Sequence, residues 1–434
     1  MSEHDLVEDY TLQPVPAEQT MRGRQIAMVI LAIGFTLPVF ALGAQVTQAQ
    51  GLVRGTIACF AGCLLAALLS LPTSFIGARL RLSTYVILML SFGRVGGRIV
   101  NLMLAATLIG WFANVADILG VSVSASLGAS YGVTVPAFAC TAIALVLMTL
   151  TGIFGFRLME RFATLLVPVL CAFMGYVLYL ALAQASPTAA LARPGTGDLS
   201  FADAVSAVFG LVVLTAVLSP DFTRYARRPS SALLAMSALG IGYPLIMLIA
   251  AVPAAVFGEA DIMRIMVSLG LTTGALIVLV LATWASNTGN LYSATLTLAT
   301  VAPRVPVWQL GVGTALFALV AGYFHVSDYF VPFLVLLGIA AVPVAGVYCC
   351  VFFFSRPAMT PSAGEAIPAF RHRNLTAWVG GSAVGYASSS LGGFLCPLPA
   401  LEALAATAVL WLALHASVLA GPSRRRVAPV AEPE

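Results

Sequence analysis

Long apolar runs recur along this 434-residue chain, separated by short polar stretches. An α-helix rises about 1.5 Å per residue, so on the order of 20 apolar residues cross a hydrocarbon core of about 30 Å. Runs of that kind fall near 25–47, 55–77, 99–121, 134–154, 161–183, 201–219, 232–257, 272–294, 307–323, 329–354, 375–396 and 400–420. They predict an all-α membrane protein of about 12 transmembrane helices, since only self-paired helices or closed barrels survive in lipid. The ninth run is short and the eleventh is rich in Gly and Ser. The longest connections, 184–200 and 355–374, are too short for a soluble domain.

Two runs carry interruptions. In IGFTLPVF, Pro38 has no N–H for the carbonyl four residues back, that of Gly34, so the first helix is expected to open there and leave that carbonyl free. The sixth run has Gly210 at its middle and ends at Pro220. Irregular backbone at membrane depth persists only where it lines a cavity or is buried in protein. Interrupted helices five spans apart, in matching positions of two halves, point to an inverted-repeat transporter with its site near the midplane. The alternative for either break alone is a kink that only serves packing.

Composition supports the membrane reading. The chain is 60% hydrophobic and 9% charged, against about 25% charged in a soluble domain. All 21 basic residues are arginine, and they are scattered, so the small excess of +4 gives no nucleic-acid surface. With both termini in the cytoplasm, 18 of the 21 arginines fall on the inner side and only Arg54, Arg193 and Arg264 outside. That bias in short loops is a positive-inside signal for an inner (plasma) membrane protein of bacterial type. The acidic start MSEHDLVEDY argues against a cleaved signal peptide. Seven cysteines lie in apolar segments without a CxxC pair and read as reduced core thiols.

Candidate chemistry concentrates in two spans. In LATWASNTGNLY, Thr283, Asn287 and Asn290 stand at i, i+4 and i+7 and share one helical stripe, with Ser286 beside it. Uncharged amides in hydrocarbon need partners, either a polar ligand or a neighbouring helix. The third span offers GWFANVAD, where Trp111 and Asn114 are i, i+3 neighbours suited to a flat heterocycle that is stacked and bonded at its edge. Asp117 is either an intramembrane carboxylate, and so a candidate proton carrier, or a residue at the wet outer end of its span. In SPDFTRYARR, Asp221 and Arg224 can pair at i, i+3 in an inner loop that is either a gate or simply topogenic charge. The four histidines are dispersed, with no HExxH, phosphate loop or Ser/His/Asp set, so no catalytic residue is assigned and the chain is read as a non-enzyme.

These motifs resemble the nucleobase:cation symporter-1 (purine/cytosine permease) family, and within it the bacterial cytosine permease branch. The matching stretches run in order over nearly the whole chain: PVP (14–16), GFT (34–36), TSFIGAR (73–79), SFG (91–93), GWF (110–112), DFTRYAR (221–227) and W-x-x-N-x-x-N-L-Y (284–292). The resemblance implies two inverted five-helix repeats (25–183 and 201–354) forming a transport core over 25–354, with accessory helices over 375–420. Cytoplasmic tails would cover 1–24 and 421–434. It implies a base stacked on Trp111 and hydrogen-bonded by Asn287 or Asn290. It also implies a cation held by carbonyls of Gly34, Leu37 and Ala282 and by hydroxyls at positions 285 and 286, of which Ser286 is present and Ala285 is not. Sodium or a proton is the expected coupling ion, with no other cofactor or metal. Leu108 replaces a glutamine near the tryptophan, and LVVL (211–214) replaces an aromatic and serines, so the pocket is expected to suit a less polar substrate than cytosine.

The reading is a secondary active transporter importing a nucleobase-like planar heterocycle: cytosine, another pyrimidine or purine, or a related vitamin precursor. Its partners would be that substrate and the lipid bilayer, with no obligate protein partner. The rivals are a transporter of the same fold for amino acids or quaternary amines, and a membrane receptor that moves nothing.

Overall fold

Each apolar run becomes helix until a Gly or Pro interrupts it. The computed structural model describes residues 13–154, 156–184, 187–302, 304–355, 359 and 366–419, and these form helices with no β-strand among them. In chain order the first half comprises α1 (Gly23–Gly34), α2 (Leu37–Gln50), α3 (Leu52–Leu80), α4 (Thr84–Phe92), α5 (Arg94–Tyr131), α6 (Ala137–Phe154), α7 (Phe156–Gln184) and α8 (Pro187–Ala192). The second begins with α9 (Phe201–Val217), α10 (Ser219–Thr223), α11 (Pro229–Ser237) and α12 (Tyr243–Phe257). It continues with α13 (Ile262–Ser268), α14 (Thr272–Val301), α15 (Val307–Tyr323), α16 (Phe330–Phe354), α17 (His372–Leu391) and α18 (Pro399–Leu419). A π turn over Ala238–Gly242 joins α11 to α12 without ending the span. All twelve predicted spans are occupied by helix, and the short α4, α8, α10 and α13 lie in the connections between them.

The first break lies where Pro38 predicts it. Helices α1 and α2 meet at 68°, with Phe35 and Thr36 outside helical geometry between them. Pro38 falls in the first turn of α2, where a missing N–H costs nothing. The Gly34 carbonyl is not left free, however: it accepts the Thr36 N–H at 2.9 Å. A tight local turn satisfies it instead of a ligand.

The sixth span does not open at Gly210. Helix α9 runs through that residue, and the glycine serves a close helix crossing, since a Cβ there would collide with the Leu334 carbonyl of α16. The interruption comes at Leu218. Pro220 cannot donate to Ala216 four residues back, and Asp221 turns its N–H to Leu218, at 3.0 Å. The two carbonyls so released are served from other helices. Thr73 of α3 reaches the Ala216 oxygen at 2.9 Å, and the Tyr348 hydroxyl of α16 reaches that of Val217 at 2.7 Å.

The last two helices pack on each other and on α16. Trp411, fully buried on α18, donates its indole N–H to Asn374 Oδ1 at 2.8 Å, and Asn374 donates onward to the Ser91 carbonyl of α4. Glu402 closes their connection by accepting the N–H groups of Phe394 at 2.9 Å, Cys396 at 2.8 Å, and Leu395.

Gly210→Ala should lower stability by about 1–3 kcal/mol, the usual cost of overpacking, because backbone and not a flexible side chain blocks the methyl group. Gly313→Ala in α15, with open space around its Cα, should be neutral or stabilising by up to about 1 kcal/mol. Thermal unfolding of the two variants in the same detergent checks the contrast.

Candidate functional site

The polar stripe of α14 meets α5, and the two helices run antiparallel. At one end of the seam the Tyr131 hydroxyl of α5 lies 2.5 Å from Thr273 Oγ1 of α14. At its middle, Asn287 Nδ2 donates to the Phe112 carbonyl of α5 at 3.0 Å and approaches Met148 Sδ of α6 at 3.4 Å. Asn287 Oδ1 in turn accepts from Asn290 Nδ2 at 3.1 Å. Asn287 is 0% exposed, so this amide ties three helices together in the interior. Its neighbours tie α14 to α6: the Trp284 indole donates to Thr151 Oγ1 at 2.9 Å, and Thr288 Oγ1, which donates to the Trp284 carbonyl of its own helix at 2.7 Å, lies 3.4 Å from the same Thr151 oxygen. Ser286 turns its hydroxyl back to the Thr283 carbonyl, at 3.2 Å. Thr283, fully buried, has no partner for its own hydroxyl.

On α5, Trp111 is half-buried with its ring against two rings of α16, Phe330 at 5.9 Å and Phe333 at 6.2 Å between centroids. Gly110 is small because Phe333 lies against it; a Cβ there would meet the ring at 2.8 Å. Asn114, one turn beyond Trp111 and 1% exposed, donates Nδ2 to the Gly110 carbonyl at 2.9 Å and leaves Oδ1 unpartnered. Leu108, Leu211, Val212 and Val213, which the sequence marks as apolar replacements, are all buried.

Asp117 is not at a wet end. It is 1% exposed, and its carboxylate accepts the Ser327 backbone N–H at 3.0 Å and the Thr141 hydroxyl of α6 at 3.3 Å. Ser327 belongs to the 3-10 turn Val326–Tyr329 that leads into α16. One carboxylate therefore joins α5, α6 and the start of the helix whose rings cover Trp111. Sequence pattern alone could not show this, because the backbone donor comes from 210 residues away.

The four positions expected to hold a cation come from two elements that touch, α14 and the broken first span. Leu37 and Ala282 are buried at 2% and 4% exposure. Gly34 packs on the ring of Tyr243, whose hydroxyl donates to the Ile30 carbonyl at 3.2 Å. The Gly34 carbonyl accepts the Thr36 N–H and Ser286 Oγ donates to the Thr283 carbonyl, which leaves each oxygen a lone pair.

At the arginine-rich end of the bundle the Asp221 carboxylate accepts the Thr84 N–H at 2.8 Å, and so caps the start of α4. Arg224 donates Nε to the Asp221 backbone carbonyl at 3.2 Å and stands 4.9 Å over the Tyr225 ring. The segment before α1 is stitched onto the same loop. Met21 N–H reaches the Tyr225 carbonyl at 2.6 Å, and Arg227 N–H reaches the Met21 carbonyl at 3.2 Å, an isolated β-bridge. Val15, buried at 1%, donates to the Arg81 carbonyl at 3.0 Å. The PVP and DFTRYAR stretches, far apart in sequence, thus close one end of the molecule together.

The geometry comprises a polar helix seam, a tryptophan covered by aromatic rings, and a broken first helix beside them. Known proteins share the fold. Solved structures of the nucleobase-cation-symport-1 family transporter Mhp1 superpose with a TM-score of 0.75 for a closed conformation with bromovinylhydantoin bound, at 19% identity over 95% of this chain and 96% of that one. The inward-facing conformation gives 0.77, at 18% identity over 95% and 94%. A Na+-coupled sialic acid symporter gives 0.63 at 13% identity, covering 94% and 92%. Cytosine permease of Escherichia coli K12 is 28% identical over 353 residues, 80% of this chain and 82% of its own length. The family model described as permease for cytosine/purines, uracil, thiamine and allantoin matches residues 14–363. The chain is a multi-pass membrane protein and belongs to this permease family, the nucleobase–cation symport family, whose members are transporters and not enzymes.

Proposed function

We propose that the protein imports a neutral, planar nitrogen heterocycle by cation-coupled alternating access, with the substrate stacked on Trp111. The observation that carries this reading is the seam itself. Trp111, Asn114, Asn287 and Asn290 lie on two facing helices in the protein interior, and Asn114 keeps a buried acceptor without a partner. A buried polar atom left unpaired costs about 1–3 kcal/mol, which a bound polar ligand recovers. The resemblance to a hydantoin-bound transporter and to cytosine permease supports the heterocycle. Buried Leu108 and Val212, at positions where the resemblance implies polar or aromatic side chains, favour one with fewer exposed polar edges than cytosine.

In this reading the core over 25–354 consists of repeats 25–183 and 201–354, with α17 and α18 as accessory helices. Both termini face the cytoplasm of a bacterial-type inner membrane, an orientation that the arginine distribution supports. The stitched end at Asp221, Arg224 and Met21 is the cytoplasmic gate, which must part for release. The coupling ion is Na+ at Gly34, Leu37, Ala282 and Ser286, or H+ on Asp117. Sodium would use the lone pairs that these bonds leave, since the Gly34 carbonyl accepts a single N–H and the Ser286 hydroxyl donates its hydrogen to Thr283. A proton on Asp117 Oδ1 would turn the Thr141 hydroxyl from donor to acceptor there, while Oδ2 keeps the Ser327 N–H.

Thermal stabilisation of the purified protein by pyrimidines, purines, hydantoins and thiamine precursors tests the substrate class. At a hundred times its Kd, a member of the right class should add about 2.7 kcal/mol, and Trp111→Ala should abolish the gain. Silence across the panel from well-folded protein would sink the heterocycle assignment. Dependence of the gain on sodium or on pH names the ion.

Asp117 separates the two ions in proteoliposomes. If it carries the proton, Asp117→Asn should lose uptake driven by a pH gradient while keeping substrate counterflow. With sodium coupling, sodium-driven uptake should survive that substitution. Under either ion Asp117→Ala should destabilise the fold by about 1–3 kcal/mol, because it strands the Ser327 N–H, whereas the Thr141 hydroxyl keeps the Ala137 carbonyl.

A further inference from the structure

Along the α5–α14 seam most buried side-chain polar atoms are spent on protein. Both ends of the Asn287 amide, Asn290 Nδ2, the Trp284 indole, and the Ser286 and Thr288 hydroxyls all have partners. Two buried atoms there do not, Asn114 Oδ1 and Thr283 Oγ1. Their residues are 1% and 0% exposed. Unpartnered hydroxyls also occur away from the seam, at Thr47, Ser74 and Thr314 among others, so a lone one carries little. Position singles out this pair.

Asn114 stands one turn beyond Trp111 on α5, and Thr283 stands one turn before Asn287 on the stripe that faces α5. The antiparallel register set by Asn287 on Phe112 and Thr273 on Tyr131 brings Thr283 alongside the α5 turn that carries Asn114. A helical threonine can quench its hydroxyl on the carbonyl four residues back, as Thr288 does on Trp284 and Thr141 on Ala137. Thr283 does not. The orientation of Asn114 is fixed by chemistry, since the Gly110 carbonyl can only accept and must face Nδ2. What remains open on Asn114 is an acceptor, and what remains open on Thr283 is a hydroxyl.

We propose that Thr283 is a specificity-determining residue of the substrate site. It donates to a carbonyl or ring nitrogen of the heterocycle while Asn114 Oδ1 accepts a ring N–H. This rests on the heterocycle reading above and narrows it to compounds of lactam type, which present an N–H and a carbonyl together. Asn287, by contrast, is a strut that holds α5, α6 and α14, and its removal acts on the fold.

The test uses the purified full chain and titrates uracil and hydantoin, each beside its N,N-dimethyl derivative, against wild type, Thr283→Val, Thr283→Ser and Asn287→Ala. Valine keeps the shape of threonine without the hydroxyl. Thr283→Val should bind at least about tenfold more weakly while its unliganded melting temperature stays the same or rises, since an unpaired polar atom has gone. Thr283→Ser should bind within about threefold of wild type, where a buried hydrogen bond is kept. The dimethyl derivatives should fail on the wild type. Asn287→Ala should lower the unliganded melting temperature. Equal affinity of Thr283→Val and wild type would overturn the proposal and leave the heterocycle reading standing. Binding of purines or thiamine precursors alone, with neither lactam probe recognised, would also overturn it. No stabilisation by any heterocycle would remove both. Should Thr283→Val fail to fold, Thr283→Ala is read by the same criteria.

Discussion

A backbone that leaves helical geometry inside a membrane has to find hydrogen-bond partners there, because lipid offers none. That constraint decides the connections at the centre of this molecule. Pro220 strips the Ala216 carbonyl of its intrahelical donor, and Thr73 of α3 supplies another. The Val217 carbonyl is met by Tyr348 of α16. The break in the sixth span therefore does more than bend a helix. It obliges α3 and α16 to stand where a hydroxyl reaches it, and Gly210 lets α16 come that close. The first break is settled more locally, since Thr36 folds back on Gly34, and the Tyr243 ring fills the space beside that glycine.

The same constraint explains the polar stripe of α14. Five polar side chains in two turns look like a ligand site, yet in this packing they bond chiefly to α5, α6 and α14 itself. The two roles are compatible. A transporter must hold its site closed when empty without stranding amides in hydrocarbon, and neighbouring carbonyls such as that of Phe112 do so at little cost. A ligand then competes only for the atoms left over, or exchanges places with a protein partner of similar strength. Such near balance lets a small substrate shift a conformational equilibrium, because only the difference in affinity between states counts.

How much could be read beforehand follows from how local each determinant is. Span positions depend on consecutive apolar residues, and all twelve were legible for that reason. The first break was legible because Pro38 acts on its own helix. Its consequence was not, because an N–H two residues away closed the carbonyl that Pro38 freed. Gly210 marks a helix crossing in place of a break, since a glycine in a membrane helix serves either purpose and only the neighbour, here Leu334, decides. The same is true of Asp117, whose partner Ser327 sits on a turn with no pattern of its own. At the arginine-rich end, charge spacing pointed to Asp221 and Arg224 but not to what lies beyond them: Asp221 also caps the α4 backbone, Arg224 also reaches the Asp221 carbonyl, and the bridge from Met21 to Ala226 links segments that share no motif.

The balance of apolar and polar surface around Trp111 carries the argument from fold to substrate. Leu108 lies one turn before the tryptophan and Asn114 one turn after it, so that face of α5 offers a hydrocarbon wall, an aromatic plane and one amide. Each polar edge of a ligand that enters such a site without a partner forfeits about 1–3 kcal/mol of hydration. A base with several exocyclic donors and acceptors pays that cost repeatedly, whereas a ring with a single N–H and carbonyl pair pays it hardly at all. Stacking on the indole rewards both alike. In the proposed reading, selectivity would therefore be set less by what the pocket grips than by the polar groups it leaves unanswered, and would favour the least decorated heterocycle that can still meet an amide oxygen and a hydroxyl.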